Sequence, residues 1–321
     1  MENTLKGRII KGVGGLYSVR LCQNGGGLDG DTVVCRAKGI FRHDNVTPLA
    51  GDNVVLLSSS EIQKNASDNK AAESGFVIAE IKERKNSLIR PPLANLDYIF
   101  VTMAAAHPTP ILTTIDKLIS IAEFNDIEPI IVITKDDLAH GEARRIADIY
   151  ERSGFETFVI SSVTGSGIDS IRSFTAEKLK AKTAAFAGAS GIGKSTLMNA
   201  LFPNLSLSTS DVSRKTERGR HTTRQVELFP ISDELDCGYI ADTPGFSMLD
   251  FERFDFFEQK DLPSTMREFT KYIGQCRYTK CSHTKEEGCA ILEAVKRGDI
   301  PKSRHDSFLE INEALKAKKK W

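Results

Sequence analysis

One nonapeptide restricts the folds open to this chain more than any other stretch: Gly188-Ala189-Ser190-Gly191-Ile192-Gly193-Lys194-Ser195-Thr196. It satisfies G-x-x-x-x-G-K-[ST], with an apolar run at 184–187 before it and helical spacing at 194–202 after it. Glycines in such a loop let backbone N–H groups turn inward around phosphate oxygens, at the positive end of the following helix. Lys194 is placed to reach the β- and γ-phosphates, and Ser195 to ligate Mg²⁺. A strand, loop and helix in this order imply an α/β sheet.

The surrounding texture agrees. Short strand patterns at 98–103, 129–134, 157–161, 184–187 and 238–241 alternate with helical spacing at 115–124, 141–153, 168–180 and 194–202. That alternation argues for a mostly parallel sheet covered by helices. Tyr239-Ile240-Ala241 leads into Asp242-Thr243-Pro244-Gly245, where Asp242 suits a water of the Mg²⁺ shell and Gly245 a close backbone approach to the γ-phosphate. Between the two motifs, residues 205–225 hold only Leu207 and Val212 as aliphatic residues after Leu205. This polar loop carries Gly219-Arg220-His221-Thr222-Thr223-Arg224, and a threonine in it completes a Mg²⁺ shell in an on/off switch.

A buried strand pattern ends in Thr134-Lys135-Asp136-Asp137. Guanine offers two donors on one edge, and a carboxylate accepting both makes a charge-assisted bidentate pair, so Asp137 selects GTP over ATP. Lys135 lies along the base, and Ser161-Ser162 ends another strand where a backbone N–H meets guanine O6. The stretch resembles the N-K-x-D motif of GTPases with Thr134 in place of asparagine, which removes an amide that normally braces the loop. The order is reversed: Asp137 and Ser161 precede Gly188, as in a circularly permuted GTPase.

Two flanking regions differ. Residues 1–91 show short strand patterns at 7–11, 16–22, 32–37, 53–57 and 76–81, cut by glycines, which suggests a small barrel; 58–75 reads as a polar loop. Residues 252–321 are charged and mostly helical around Cys276-x4-Cys281-x-His283-x5-Cys289, a closed Cys₃His set suited to structural Zn²⁺. Cys22, Cys35 and Cys237 read as buried small apolar residues. Phe308, Ile311 and Leu315 stand at helical spacing near the end. Lys+Arg and Asp+Glu each number 43, which excludes a polybasic wrapper or an acidic disordered chain as a description of the whole. No apolar run approaches the ~18 residues of a membrane helix, the start lacks a signal-peptide core, and six cysteines make no disulfide framework.

Barrel, reversed motif order, G-R-H-T-T and C-x4-C-x-H-x5-C together resemble the ribosome small subunit-dependent GTPase A family, with Arg84-Lys85-Asn86 and Ala94-Asn95-Leu96-Asp97 matching its barrel-to-GTPase junction. The resemblance implies an OB-fold RNA-binding barrel at 1–91, a permuted GTPase domain at 92–251 and a zinc-binding helical domain at 252–321. It implies a bacterial cytoplasmic, monomeric GTP hydrolase without membrane attachment. Such a protein binds ribosomal RNA late in small-subunit maturation and turns over slowly until the subunit stimulates it. Tyr17, Arg20, Arg36, Phe41, Arg42 and His43 are candidate RNA contacts. Phe246 stands where many GTPases carry a water-orienting glutamine; the resemblance gives that work to His221, with loop packing or an RNA contact as the alternative. Thr222 or Thr223 is the second Mg²⁺ ligand. A nucleotide-gated RNA-binding module and a P-loop ATPase or kinase are the competing readings.

Overall fold

The computed structural model describes residues 4–22, 30–43, 46–58, 75–203, 205, 226–232, 234, 237–242 and 256–318. The chain divides into two compact units, each assembled from three separate segments.

The first unit comprises Met1–Asp97, Ala176–Ala185 and Asn204–Gly245. Its strands β1 (Leu5–Val13), β2 (Leu16–Leu21), β3 (Thr32–Ala37), β4 (Asn53–Ser58) and β5 (Phe76–Ile81) close a five-stranded barrel in the order β1-β2-β3-β5-β4, with β4 returning to β1. The alternating residues Ile9, Val19, Leu21, Cys35, Val54, Leu56 and Ile78 fill it, as a period of two demands when one face of each strand is buried. β1 is irregular between Ile9 and Lys11, and beyond that point Lys11 pairs with Glu227 of a later strand. At the barrel's foot Gly51 has φ +94, and a Cβ there would lie 2.0 Å from the Ala94 carbonyl oxygen, so only glycine fits. Fully buried Asp52 next to it accepts two bonds from Arg84 (2.7 and 2.8 Å) and one from the Leu49 N–H (2.7 Å). A two-residue hairpin, β6 (Ser87–Leu88) with β7 (Leu93–Ala94), follows. Asn86 and Asn95 hold it, Asn86 donating its amide NH₂ to the Leu96 carbonyl and accepting from the Leu96 N–H, and Asn95 donating to the Gly51 carbonyl.

Two readings of this region need correction. Arg20 is not free for RNA. It is 6% exposed on the barrel's outer face, where it donates to the Glu234 carbonyl and to Cys237 Sγ. Cys22 is exposed, not buried, because it lies just past the end of β2 where the alternation stops. Tyr17 and Phe41 pack against the barrel core, while Arg36 is exposed; the side chains of Arg42 and His43 lie outside the described part.

The second unit comprises Tyr98–Thr175, Phe186–Pro203 and Phe246–Trp321. Strands β8 (Tyr98–Ala104), β9 (Glu128–Thr134) and β10 (Thr157–Val159) are parallel neighbours. Helices α1 (Leu112–Phe124), α2 (His140–Arg152) and α3 (Ile168–Lys178, its last turn crossing into the first unit) alternate with them. β11 (Thr183–Ala187) leads through the glycine loop into α4 (Lys194–Leu201). A strand that the sequence pattern did not reveal, β12 (Glu227–Pro230), runs antiparallel to β13 (Tyr239–Asp242) in the first unit.

The C-terminal segment has 3₁₀ turns at Gln259–Thr265 and Arg267–Phe269, then α5 (Ala290–Arg297) and α6 (Lys302–Ala317). Phe308, Ile311 and Leu315 face inward on α6. Gly298 ends α5 in the left-handed conformation. No described helix is long and apolar enough to cross a membrane.

Candidate functional site

The glycine loop sits where the sequence places it, and its shape is imposed at several points. Gly188 has φ +141, and a Cβ there would meet the Thr102 carbonyl oxygen at 2.2 Å and Ile192 Cδ1 at 2.6 Å. Gly191 and Gly193 have φ +76 and +97, the left-handed region that glycine enters at no steric cost. Lys194 Nζ donates to the carbonyls of Gly188 (2.9 Å) and Ala189 (2.6 Å), so the ammonium lies over the loop, where burial pushes its pKa down. Ser195 is half-buried, while Ser190 and Thr196 are exposed. Gly188→Ala forces a backbone clash that no rotamer relieves, and it is expected to weaken nucleotide binding by about tenfold or more, measured by fluorescent-nucleotide titration.

Two of the base-reading candidates, Thr134 and Lys135, reach this loop within the same unit. Thr134, 3% exposed, donates from Oγ1 to the Ile192 carbonyl at 2.6 Å, with the Met103 carbonyl at 3.2 Å as a second acceptor. The hydroxyl thus reaches the glycine loop although the amide is missing. Lys135, at φ +60, donates to the carbonyls of Gly191 (3.0 Å) and His107. Carbonyls held from outside leave the intervening N–H groups facing the other way, the orientation a phosphate needs. Buried Ser161 donates to Asp137 Oδ1 at 2.5 Å while its Oγ accepts from the N–H groups of Val163 and Thr164 at 3.2 Å. Exposed Asp137 is therefore oriented from one side and open on the other. Asp136 points elsewhere, to His140 Nδ1 at 2.6 Å, and Ser162 is exposed. Nothing in the sequence signalled the contacts of Thr134 and Lys135 with the glycine loop, because they join residues more than 50 positions apart.

Asp242 ends β13 opposite Glu227, but its side chain is outside the described part. His221, Thr222, Thr223, Gly245 and Phe246 lie outside the described residues.

Cys276, Cys281, His283 and Cys289 come together with their ligand atoms all within 4.8 Å of one another. Tetrahedral zinc, with bonds of about 2.3 Å to sulfur and about 2.0 Å to nitrogen, sets S···S at roughly 3.8 Å and S···N at roughly 3.5 Å. Cys276 Sγ stands 3.9 Å from Cys289 Sγ, and both sulfurs stand 3.5 Å from His283 Nδ1. The cluster can hold a metal ion, and these three donors stand at the separations expected around zinc. Burial pushes the Cys281 thiol up to about 12, with Cys289 and Cys276 adding to it, and pushes His283 down toward the neutral imidazole that ligates metals. His305 donates from Nε2 to the His283 carbonyl at 2.9 Å, a contact between sequence-distant residues that the spacing of the ligands did not reveal.

Comparison with known proteins bears on the whole chain. Residues 81–252 match the family described as RsgA GTPase, and residues 6–63 match the RsgA N-terminal domain. The small ribosomal subunit biogenesis GTPase RsgA of Caldanaerobacter subterraneus subsp. tengcongensis is 37% identical over 320 residues, covering 98% of this chain and 97% of that protein. Its counterpart in Geobacillus kaustophilus is 38% identical, with 98% of each covered. Among solved structures, YjeQ from Thermotoga maritima superposes with a TM-score of 0.77 at 28% identity, over 98% of this chain and 100% of that one. YloQ, described as a circularly permuted GTPase, gives 0.74 at 32% identity, over 99% and 98%.

Proposed function

We propose that this chain, which belongs to the RsgA GTPase family and so hydrolyses GTP, does so in response to the maturing small ribosomal subunit, whose ribosomal RNA it binds. The observation that carries the nucleotide half of this reading is that Thr134 and Lys135 reach the glycine loop within one unit, with Asp137 next to them in sequence held by Ser161. The relatives' names supply the ribosomal half.

In this reading the residues 188–196 wrap the phosphates, Asp137 pairs with guanine, Lys135 lies along the base, and Ser162 N–H meets O6. The family implies Mg²⁺ use. Ser195 and Thr222 or Thr223 would hold the ion, with Asp242 on its water shell and Gly245 at the γ-phosphate. Phosphoryl transfer to water needs positioning and charge stabilisation more than covalent chemistry. Lys194 supplies charge, and His221 is the candidate for orienting the water, since Phe246 has no group for it. Zinc at the Cys₃His cluster is structural, because three thiolates and an imidazole close the tetrahedron. The functional segments are 1–91 for RNA, 92–251 for GTP and 252–321 around zinc, in a monomer that works in the cytoplasm, where its partner is.

The test is GTP turnover by the purified protein with small subunits, with large subunits, and alone. Stimulation by small subunits only, of about tenfold or more, is expected. Turnover unchanged by either subunit would remove the ribosomal assignment and leave the GTPase standing. A subunit-binding assay with a non-hydrolysable GTP analogue separates turnover from nucleotide-gated binding.

A further inference from the structure

Beside the metal cluster a carboxylate outside its four donors, Glu286, touches the backbone on both sides of a ligand. Glu286 Oε1 accepts from the Ser282 N–H at 2.8 Å and from the Ser282 hydroxyl. Its Oε2 accepts from the N–H groups of Thr284 and Lys285, both at 3.1 Å. Ser282 separates Cys281 from His283, and Thr284 follows His283. The Ser282 and Thr284 hydroxyls bond each other at 2.8 Å and close the ring. The main chain of Glu286 takes part as well, its carbonyl accepting from the Cys289 N–H at 3.3 Å. One residue therefore holds segments adjoining three of the four ligands.

What it holds is a conformation the chain would not otherwise keep. His283 has φ +58, the left-handed region that residues with a Cβ avoid. An unsupported loop would relax there and swing the imidazole away from the sulfurs. Glu286 fixes the N–H groups flanking this residue, and His305 fixes its carbonyl from α6.

We propose that Glu286 is a positioning residue for the metal: it presets the Cys281–His283 corner, so that the ion meets a formed site and leaves it slowly. An acidic side chain accepting loop N–H groups is common as a plain turn staple. Here the groups it accepts from are those that orient ligands, and partners of ligands commonly change metal affinity by about 10–100-fold. The inference rests on metal binding by the cluster.

The test is zinc release from the loaded full-length protein into excess chelator, followed with a chromogenic zinc indicator, for the wild type, Glu286→Gln and Ser282→Ala. Glutamine keeps one acceptor oxygen and loses the other. Release about 10–100-fold faster is expected for Glu286→Gln, with a smaller increase for Ser282→Ala. The cobalt-substituted variants should keep tetrahedral absorption, and thermal unfolding of the metal-free variants should match that of the metal-free wild type. Release at the wild-type rate from both variants overturns the role of Glu286. If Glu286→Gln cannot be isolated loaded, Ser282→Ala decides alone, and a wild-type rate overturns the proposal. A wild-type chain that retains neither zinc nor cobalt overturns the metal reading itself, which is a different failure.

Discussion

Asp137→Asn is expected to lower the affinity for GTP by about 100- to 1000-fold and to move the preference to xanthosine triphosphate. Two charge-assisted bonds to the guanine edge are each worth about 1.5–3 kcal/mol, and asparagine keeps one acceptor while presenting an amide where guanine also has a donor. Xanthine carries a carbonyl in place of the 2-amino group and restores the match. Ser161 holds the carboxylate by one oxygen (2.5 Å), so an asparagine of the same shape stays in place and the effect is chemical, not conformational. Competition titrations with GDP, XDP and ADP measure it. Unaltered guanine preference would mean that another residue reads the base.

The largest effect on stability is expected at Arg304. Its side chain is 1% exposed and donates to Glu268 Oε1 (2.8 Å), Glu268 Oε2 (3.3 Å) and Asp116. Tyr150 donates to the same Asp116 oxygen at 3.0 Å, and the rings of Tyr150 and Phe155 lie 5.8 and 5.4 Å from the guanidinium. These contacts tie α6 to α1 and α2. Arg304→Ala strands two buried carboxylates without their counter-charge, at a cost of about 3–5 kcal/mol. For a unit of this size that lowers the unfolding temperature by roughly 10 °C, measured by near-ultraviolet circular dichroism. The triple variant Arg304→Met, Asp116→Asn, Glu268→Gln removes the charges together and should recover most of the loss. A single variant that melts with the wild type would show that the network holds nothing.

Local patterns were legible wherever the physics is local. The five barrel strands and the strands and helices around the glycine loop appear within a few residues of their expected limits, because alternation and helical spacing depend on neighbours in sequence. β12 escaped because four residues following a polar run and ending in Pro230 carry too little pattern; it is a strand by virtue of pairing with β13 and, at Glu227, with β1. Arg20 was misread because alternation tells which residues point outward but not what covers them.

The sequence by itself determined the chemistry: the glycine loop, the reversed order of the nucleotide motifs, and the Cys₃His donor set. Each is a short run of residue types with one physical use. The tertiary structure decided what supports them. Thr134 reaching Ile192, Arg304 buried between Asp116 and Glu268, and His305 on the carbonyl of His283 join residues far apart along the chain. Such pairings exist only after the chain has closed on itself, since a side chain carries no record of which distant carbonyl it will meet.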